Sequence, residues 1–275
     1  MDKYPIKKSH LSFTSIKEFA ESPLSLLHYW NSEKKSTDAM EIGKLYELLF
    51  LRPAEFAKKF ATYSKSDLPM PDRMITKSEN KEWVSRFTEK AASEGKEILP
   101  ELLYFKILGM CAATSAYNPN EQHWDSQSFV KFDNLGLWGV PFKGELDMKL
   151  SSPTGAEMIS DLKVVSNAHP KYLAYWAIKS YWHWQAYIYA QAFKIKAVKY
   201  ICVESEAPYN HFVFQFSQAH FDLAAQEIQA LCEKFLLWQS KGCPEVSYNF
   251  HYNERNYVLP LSSYLENTII DKTNE

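Results

Sequence analysis

The chain has 275 residues, enough for one large domain or two small ones. With 46% hydrophobic and 15% aromatic residues it can build a sizeable core, which excludes a disordered chain. A formal net charge of −2 excludes a global field that would draw the chain onto a polyanion, so any phosphate binding must rest on a local patch. Cys111, Cys202, Cys232 and Cys243 are widely spread and form no CxxC pair. That spacing argues against a zinc or iron–sulfur site and for free thiols in a reducing compartment. The opening MDKYPIKKSH lacks the apolar core of a signal peptide, and no apolar run is long enough to span a bilayer. The expected location is therefore the cytoplasm, away from any membrane.

In chain order, Ser12 or Thr14 can cap a short helix, Ser15–Glu21, that stops at Ser22-Pro23. An amphipathic piece, Leu24–Trp30, follows, and then a polar loop, Asn31–Thr37. His10 and His28 have no partner at metal-ligand spacing and read as structural. Asp38–Leu51 is the next helix, ended by Pro53. Ile42, Leu45, Leu48, Leu49 and Leu51 make it apolar on most sides, which suggests burial. Gly43 would let another backbone approach closely. Glu47 lies within this apolar run. It is either an exposed side chain on a polar strip with Lys44 or a carboxylate aimed at a metal.

Lys65–Arg73 reads as a Pro-rich loop and Glu79–Glu94 as a helix with Trp83 and Phe87 on its apolar side, broken by Gly95. Leu99–Tyr117 reads as one long helix with Leu102, Phe105, Ile107, Leu108 and Met110 as core candidates, closed by Pro119. Lys77, Lys81, Arg86, Lys90 and Lys96 form a solvated face. Trp124–Phe132 reads as a strand leading into a hairpin whose arms, Pro141–Leu150 and Ala156–Val164, flank a turn at Ser151–Gly155.

This hairpin organises the chain. Asp161 and Lys163 are two apart, so on a strand they share a side, and the hairpin can bring Asp147 beside them. Two close carboxylates repel unless a cation lies between them. A hard divalent ion such as Mg²⁺ is held by one or two carboxylates plus substrate phosphate. A solvated surface ion pair would also place these residue types here. The apolar Met158, Ile159, Leu162, Val164 and Val165 point instead to a buried arm, where charges must be paired or coordinated.

After the loop VVSNAHPK come Lys171–Ile178 and an aromatic helix, Tyr181–Phe193. Gln185, Tyr189 and Ala192 share one face of it. Trp182, Trp184 and Tyr187 read as core, whereas Gln185 is an amide on an apolar face and needs partners. Val198–Glu204 and Asn210–Phe216 alternate like two more strands, Gln218–Ser240 is a long helix, and Cys243–Glu275 is an irregular tail. The expected architecture is α/β, with a mixed central β-sheet flanked by helices and an N-terminal helical elaboration. One domain is expected over the chain, with the elaboration at about 1–120, the core at about 121–242 plus the helix 38–51, and a tail at 243–275.

Four motifs in order resemble the PD-(D/E)xK nuclease superfamily, and within it the C-terminal nuclease of exonuclease VIII (RecE), related to RecB-type nucleases. Gly43–Phe56 (GKLYELLFLRPAEF) is similar to the first-motif helix, Lys143–Asp147 (KGELD) to the GxxD strand, Asp161-Leu162-Lys163 to the DxK strand, and Gln185–Tyr189 (QAYIY) to the QxxxY helix. Leu11–Pro23 and Gly95–Met110 also look like this family. One departure is on the first helix, where exonuclease VIII carries a His and this chain has Glu47; λ exonuclease uses Glu in that role.

The resemblance implies a PD-(D/E)xK nuclease-like core and a Mg²⁺-dependent deoxyribonuclease, with Mn²⁺ able to substitute. Asp147, Asp161, Glu47 and the Leu162 carbonyl would be metal ligands. Lys163 would act in catalysis with the three carboxylates. Gln185 and Tyr189 would support the site or the substrate backbone. The implied activity is 5′→3′ exonuclease action on double-stranded DNA ends in recombination or repair, in a bacterial or phage setting. The implied partners are a single-strand annealing recombinase and further copies of the chain in a ring. The alternatives are an endonuclease, a retired nucleic-acid-binding module and a purely structural interaction protein.

Overall fold

The structure is a computed structural model and describes residues 10–33, 36–71, 74–75, 78–118, 125–151 and 157–247. The expected turn after Ser151, Pro119, Lys77, Trp124 and most of the tail lie outside these residues. Helix α1 (Phe13–Glu21) is capped by Ser12, whose Oγ accepts from Ser15 N at 3.2 Å. Ser22 ends α1 and caps α2 (Pro23–Asn31), where Pro23 stands in the first turn and no backbone donor is lost. Thr37 caps α3 (Asp38–Leu51). Arg52 and Pro53 turn the chain into α4 (Pro53–Lys59). The short parallel pair β1 (Phe60–Ala61) and β2 (Glu97–Ile98) brackets α5 (Ser78–Ser93). Trp83 and Phe87 of α5 stack at 5.3 Å, with Tyr63 edge-on to both.

Helix α6 spans Glu101–Ala113 and gives way to a single 3₁₀ turn at Ser115–Tyr117. The expected continuous helix over 99–117 is thus shorter. Two of its expected core residues are also outside the core: Leu102 is 84% exposed and Phe105 51% exposed, while Ile107 and Met110 are fully buried. The apolar residues of α6 run almost all round the helix, and packing selects one side of them.

The central sheet has the order β3-β4-β5-β6-β7, formed by β3 (Asp125–Leu137), β4 (Val140–Ser151), β5 (Glu157–Val165), β6 (Val198–Glu204) and β7 (His211–Gln215). All neighbouring pairs are antiparallel except β5 with β6, so the sheet is mixed, as expected from sequence. The crossover between β5 and β6 carries α7 (Pro170–Lys179) and α8 (Trp182–Phe193). Helix α9 (Gln218–Ser240) closes the described order. Strand β3 runs five residues past the expected Phe132 and joins β4 through a two-residue turn at Trp138-Gly139. Both turn residues have positive φ, which matches the right-handed twist of a hairpin and favours Gly at the second position.

Two apolar layers sandwich the sheet. One joins α1, α2, α8 and α9 to Phe142, Leu146, Ile159 and Tyr200. The other joins α3 and α6 to Met148, Leu150, Leu162 and Ile201. The alternation on β5 and β6 serves both. The first helices are built into this packing: Phe19 and Trp30 meet Trp238 of α9, and Leu11 bonds across to Pro141 O and Lys143 N at 2.9 and 2.8 Å. Leu11 thereby covers the part of β4 that β5 does not reach.

Trp238 is fully buried, packs on Phe19, Trp30 and Phe235, and donates to Pro244 O at 2.9 Å. Removing so large a side chain from a closed site costs about 3–5 kcal/mol. Trp238→Ala should therefore lower the melting temperature by roughly 6–20 °C, at about 2–4 °C per kcal/mol for a chain of this size, as measured by thermal unfolding.

Candidate active site

The site forms where β4 changes layers. Phe142 and Leu146 serve the first apolar layer, Met148 and Leu150 the second, and Asp147 stands between them. Both ladders fail there. The β4–β5 pairing ends at Met148–Ser160, one step short of Asp147 and Asp161, and β3 pairs Ser128 and Val130 but not the intervening Phe129, which has φ 56°. The broken ladder frees the Leu162 amide, and Asp147 Oδ2 accepts its hydrogen bond at 2.7 Å. A side-chain carboxylate thus replaces a missing backbone partner. The Leu162 carbonyl, a separate group, is the metal ligand that the resemblance implies.

Asp161 is 2% exposed. Its Oδ1 accepts from Gln185 Nε2 at 3.1 Å, and its Oδ2 pairs with Lys163 Nζ. Gln185 Nε2 also donates to Tyr189 Oη at 3.1 Å, and Tyr189 Oη donates to Glu145 O at 2.8 Å. A chain of hydrogen bonds thus runs from Asp161 through α8 back to β4, and the amide on the apolar helix face has its partners. Trp184 is buried as expected, while Trp182 and Tyr187 are only partly so. Lys163 retains 23% side-chain exposure, so the site is not fully closed to solvent.

Glu47 reaches the site from the opposite layer. Tyr46 beside it is fully buried and bonds Thr114 Oγ1 at 2.8 Å, which fixes the rotation of α3 against α6. Only Tyr46, Phe50 and Leu51 of α3 are buried; Ile42, Leu45, Leu48 and Leu49 are partly exposed, so the helix is less covered than its composition suggests. Gly43 admits no close neighbour, since an added Cβ would meet nothing within 4 Å. Glu47 itself is half-buried and faces an open groove of about 380 Å³ lined also by Lys44, Arg52, Phe129, Lys131 and Glu145. Arg52 lies over the Phe129 ring at 4.3 Å.

The electrostatics tie the acids together. Burial, then the charge of Asp161, pushes Glu47 up to about 7. Burial, then Asp161 and Glu47, raises Asp147 well above the carboxylate range. Burial raises Asp161, against the pull of Lys163. Burial alone would pull Lys163 down, but Asp161 and Asp147 hold it charged and raise it. The donors are hard oxygens whose mutual repulsion a divalent cation would relieve, and in donor type they fit such an ion. As they stand, no three His, Cys, Asp or Glu side chains among the described residues already form a metal-holding group, and Lys163 meets Asp161 Oδ2.

Tyr200 is the site residue that the sequence reading missed. It pairs with Asp161 in the parallel ladder and donates to Trp182 O at 2.9 Å, and its ring and that of Trp182 lie 5.9 and 5.8 Å from Lys163 Nζ. A tyrosine among the apolar Val198, Ile201 and Val203 of VKYICVE was the available signal. Four free thiols are present, and Cys202 and Cys232 are buried. No helix among the described residues is long and apolar enough to cross a membrane.

A family model described as a PDDEXK-like domain of unknown function (DUF3799) matches residues 12–252. No curated protein matches the sequence. Among known structures, a candidate exonuclease from Eubacterium rectale is similar at 11% identity with a TM-score of 0.54, over 92% of this chain and 91% of that one. The alkaline exonuclease LHK-Exo from Laribacter hongkongensis is similar at 11% identity with a TM-score of 0.30, over 68% of this chain and 95% of that one.

A carboxyl that holds its proton more tightly folded than unfolded stabilises the fold below the ordinary carboxylate range and loses that contribution as pH rises through its folded pKa. For Glu47 the loss falls between the ordinary Glu range and about 7. Metal-free protein should therefore melt lower at about pH 8 than at about pH 5. Glu47→Gln should recover roughly 1 kcal/mol at the higher pH after allowance for solvent screening, or about 2–4 °C. Melting curves of both proteins in EDTA check this, and parallel pH dependences would contradict it.

Proposed function

The chain belongs to the PDDEXK-like DUF3799 family, and from that premise we propose that it is a metal-dependent nuclease hydrolysing phosphodiester bonds at the ends of duplex DNA. The observation that carries the reading is the meeting of Asp147, Asp161 and Lys163 at a break in two ladders, with Gln185 holding Asp161 from behind. Asp147 and Asp161, with Glu47 and the Leu162 carbonyl, would hold Mg²⁺ or Mn²⁺. When bound, such an ion polarises the scissile phosphate and lowers the pKa of water.

The chain's own residues do the rest. Gln185 fixes one oxygen of Asp161 and leaves the other, itself buried, to Lys163. Tyr189 anchors Gln185 to β4, so the distance between the two acidic strands is set by hydrogen bonds. Lys163, held charged by its neighbours, offsets negative charge on the phosphoryl oxygens as it grows in the transition state. The groove beside Glu47 carries Lys44, Arg52, Lys59 and Lys131 together with Glu55 and Glu145, and Arg52 and Lys59 pair with Glu55 while Lys131 pairs with Glu145. Lys44 and the cations of these exposed pairs would supply the contacts to a phosphate backbone. Exonuclease action with 5′→3′ polarity in recombination or repair, a single-strand annealing recombinase as partner, a homo-oligomeric ring and a cytoplasmic setting complete the proposal.

Asp161→Asn and Lys163→Ala should each lower cleavage by at least about 100-fold while circular dichroism keeps the wild-type spectrum below each variant's own melting temperature, which Lys163→Ala lowers by leaving Asp161 unpaired. Cleavage by both at wild-type rates would refute the assignment. Linear and circular duplexes, each with Mg²⁺ or EDTA, separate the modes. The proposal expects loss of the linear form alone, and only with Mg²⁺. Cutting of the circle assigns an endonuclease, and retention of both forms by a protein that still binds them assigns a retired module.

A further inference from the structure

Helix α7 buries Leu173 and Ala177 and turns the rest of its surface outward. Tyr172 is 53% exposed, Tyr175 61% and Trp176 48%. Three large rings at i, i+3 and i+4 on one helix form a continuous exposed stripe, which marks an interaction surface more than a random surface does. Its charge has one sign: PKYLAYWAIK contains Lys171 and Lys179, both exposed, and no acid. Lys179 Nζ stands 4.9 Å from the Trp176 ring centroid and 5.5 Å from that of Tyr175, so cation and rings form one patch.

Leu173 on the inward face of α7 joins the apolar layer that also holds Tyr189 and Tyr200. The far side of α7 and strand β7 enclose a cavity of about 300 Å³ that Phe214 lines. The Phe214 ring stacks with Trp182 at 6.4 Å, and the Trp182 ring lies 5.8 Å from Lys163 Nζ. In chain order α7 follows the strand of Asp161 and Lys163 and precedes the helix of Gln185 and Tyr189.

We propose that Tyr172, Tyr175, Trp176 and Lys179 form a stacking platform for a single strand of nucleic acid on the crossover helix between the two elements that carry the candidate active site. The proposal rests on the nuclease reading above, since an enzyme that removes one strand from a duplex end leaves the other single. Flat, exposed rings stack on bases of any sequence, and the lysines complement the phosphates between them. A duplex keeps its base faces stacked inside and offers the rings only the outer face of its terminal pair. A protein partner would find few aliphatic side chains here, with Ile178 alone, 36% exposed, on the same helix.

The test is fluorescence anisotropy in EDTA with labelled oligothymidylate of about 12 nucleotides and a hairpin duplex of similar length. Tyr175→Ala combined with Trp176→Ala should weaken oligothymidylate binding by about tenfold or more. Duplex affinity should change little, Trp176→Phe should bind oligothymidylate nearly as wild type does, and sedimentation velocity should be unchanged. Mn²⁺-dependent hydrolysis of bis(p-nitrophenyl) phosphate should also be unchanged. Undiminished oligothymidylate affinity overturns the proposal, as does an equal loss on the duplex. A changed sedimentation coefficient overturns it too, by assigning the stripe to a contact between copies. Binding is read without cleavage, and cleavage of linear duplex by the wild type is scored separately, so the platform and the nuclease reading fail independently.

Discussion

A buried carboxylate held between an amide and an ammonium is the constraint on which the rest depends. Asp161 sits in the central strand of a five-stranded sheet, 2% exposed, where an unpaired charge could not be tolerated. Lys163 supplies the countercharge from two residues on, and Gln185 supplies a donor from the crossover helix. Each has to be placed: Lys163 by strand periodicity, and Gln185 by packing of α8 between the sheet and α9. Because the charges are mutually dependent, the strands, α8 and α3 cannot shift independently. A buried pair of this type is weak evidence for stability in itself, since desolvation offsets much of the attraction. Its persistence in the middle of a sheet points to chemistry.

The break in the ladders explains how the sheet accommodates the acids. A regular sheet would pair Asp147 with both neighbours and leave its carboxylate no backbone donor. Here β4 changes layers at Asp147, the strands part, and the freed Leu162 amide becomes the partner of that carboxylate. Phe129, opposite on β3, takes a left-handed backbone, and Arg52 lies over its ring. Backbone in sparsely populated regions clusters at functional sites because only a well-determined surround maintains it. The groove of mixed charge beside Glu47 opens at this same point.

Much of this was legible in the sequence. Period-two spacing put Asp161 and Lys163 on one side of a strand, the mixed sheet followed from the element order, and the polar amide of Gln185 stood out on an apolar helix. What was not legible depended on which neighbour each surface meets. Helix α6 is apolar nearly all round, so periodicity could not say that Leu102 and Phe105 would face water. Gly43 suggested a close approach that the fold does not make. Tyr200 was read as one strand residue among others, because its role comes from the parallel pairing of β5 with β6, which no local pattern encodes. The exposed stripe of α7 was hidden for the same reason: its rings resemble core until Leu173 and Ala177 are seen to fill the inward face.

The most direct measurement is anomalous diffraction from crystals of the protein soaked in Mn²⁺. The account predicts a peak coordinated by Asp147 and Asp161, with Lys163 Nζ displaced from Asp161 Oδ2. Density showing Lys163 still paired to Asp161, with manganese absent from these carboxylates or bound elsewhere, would contradict it.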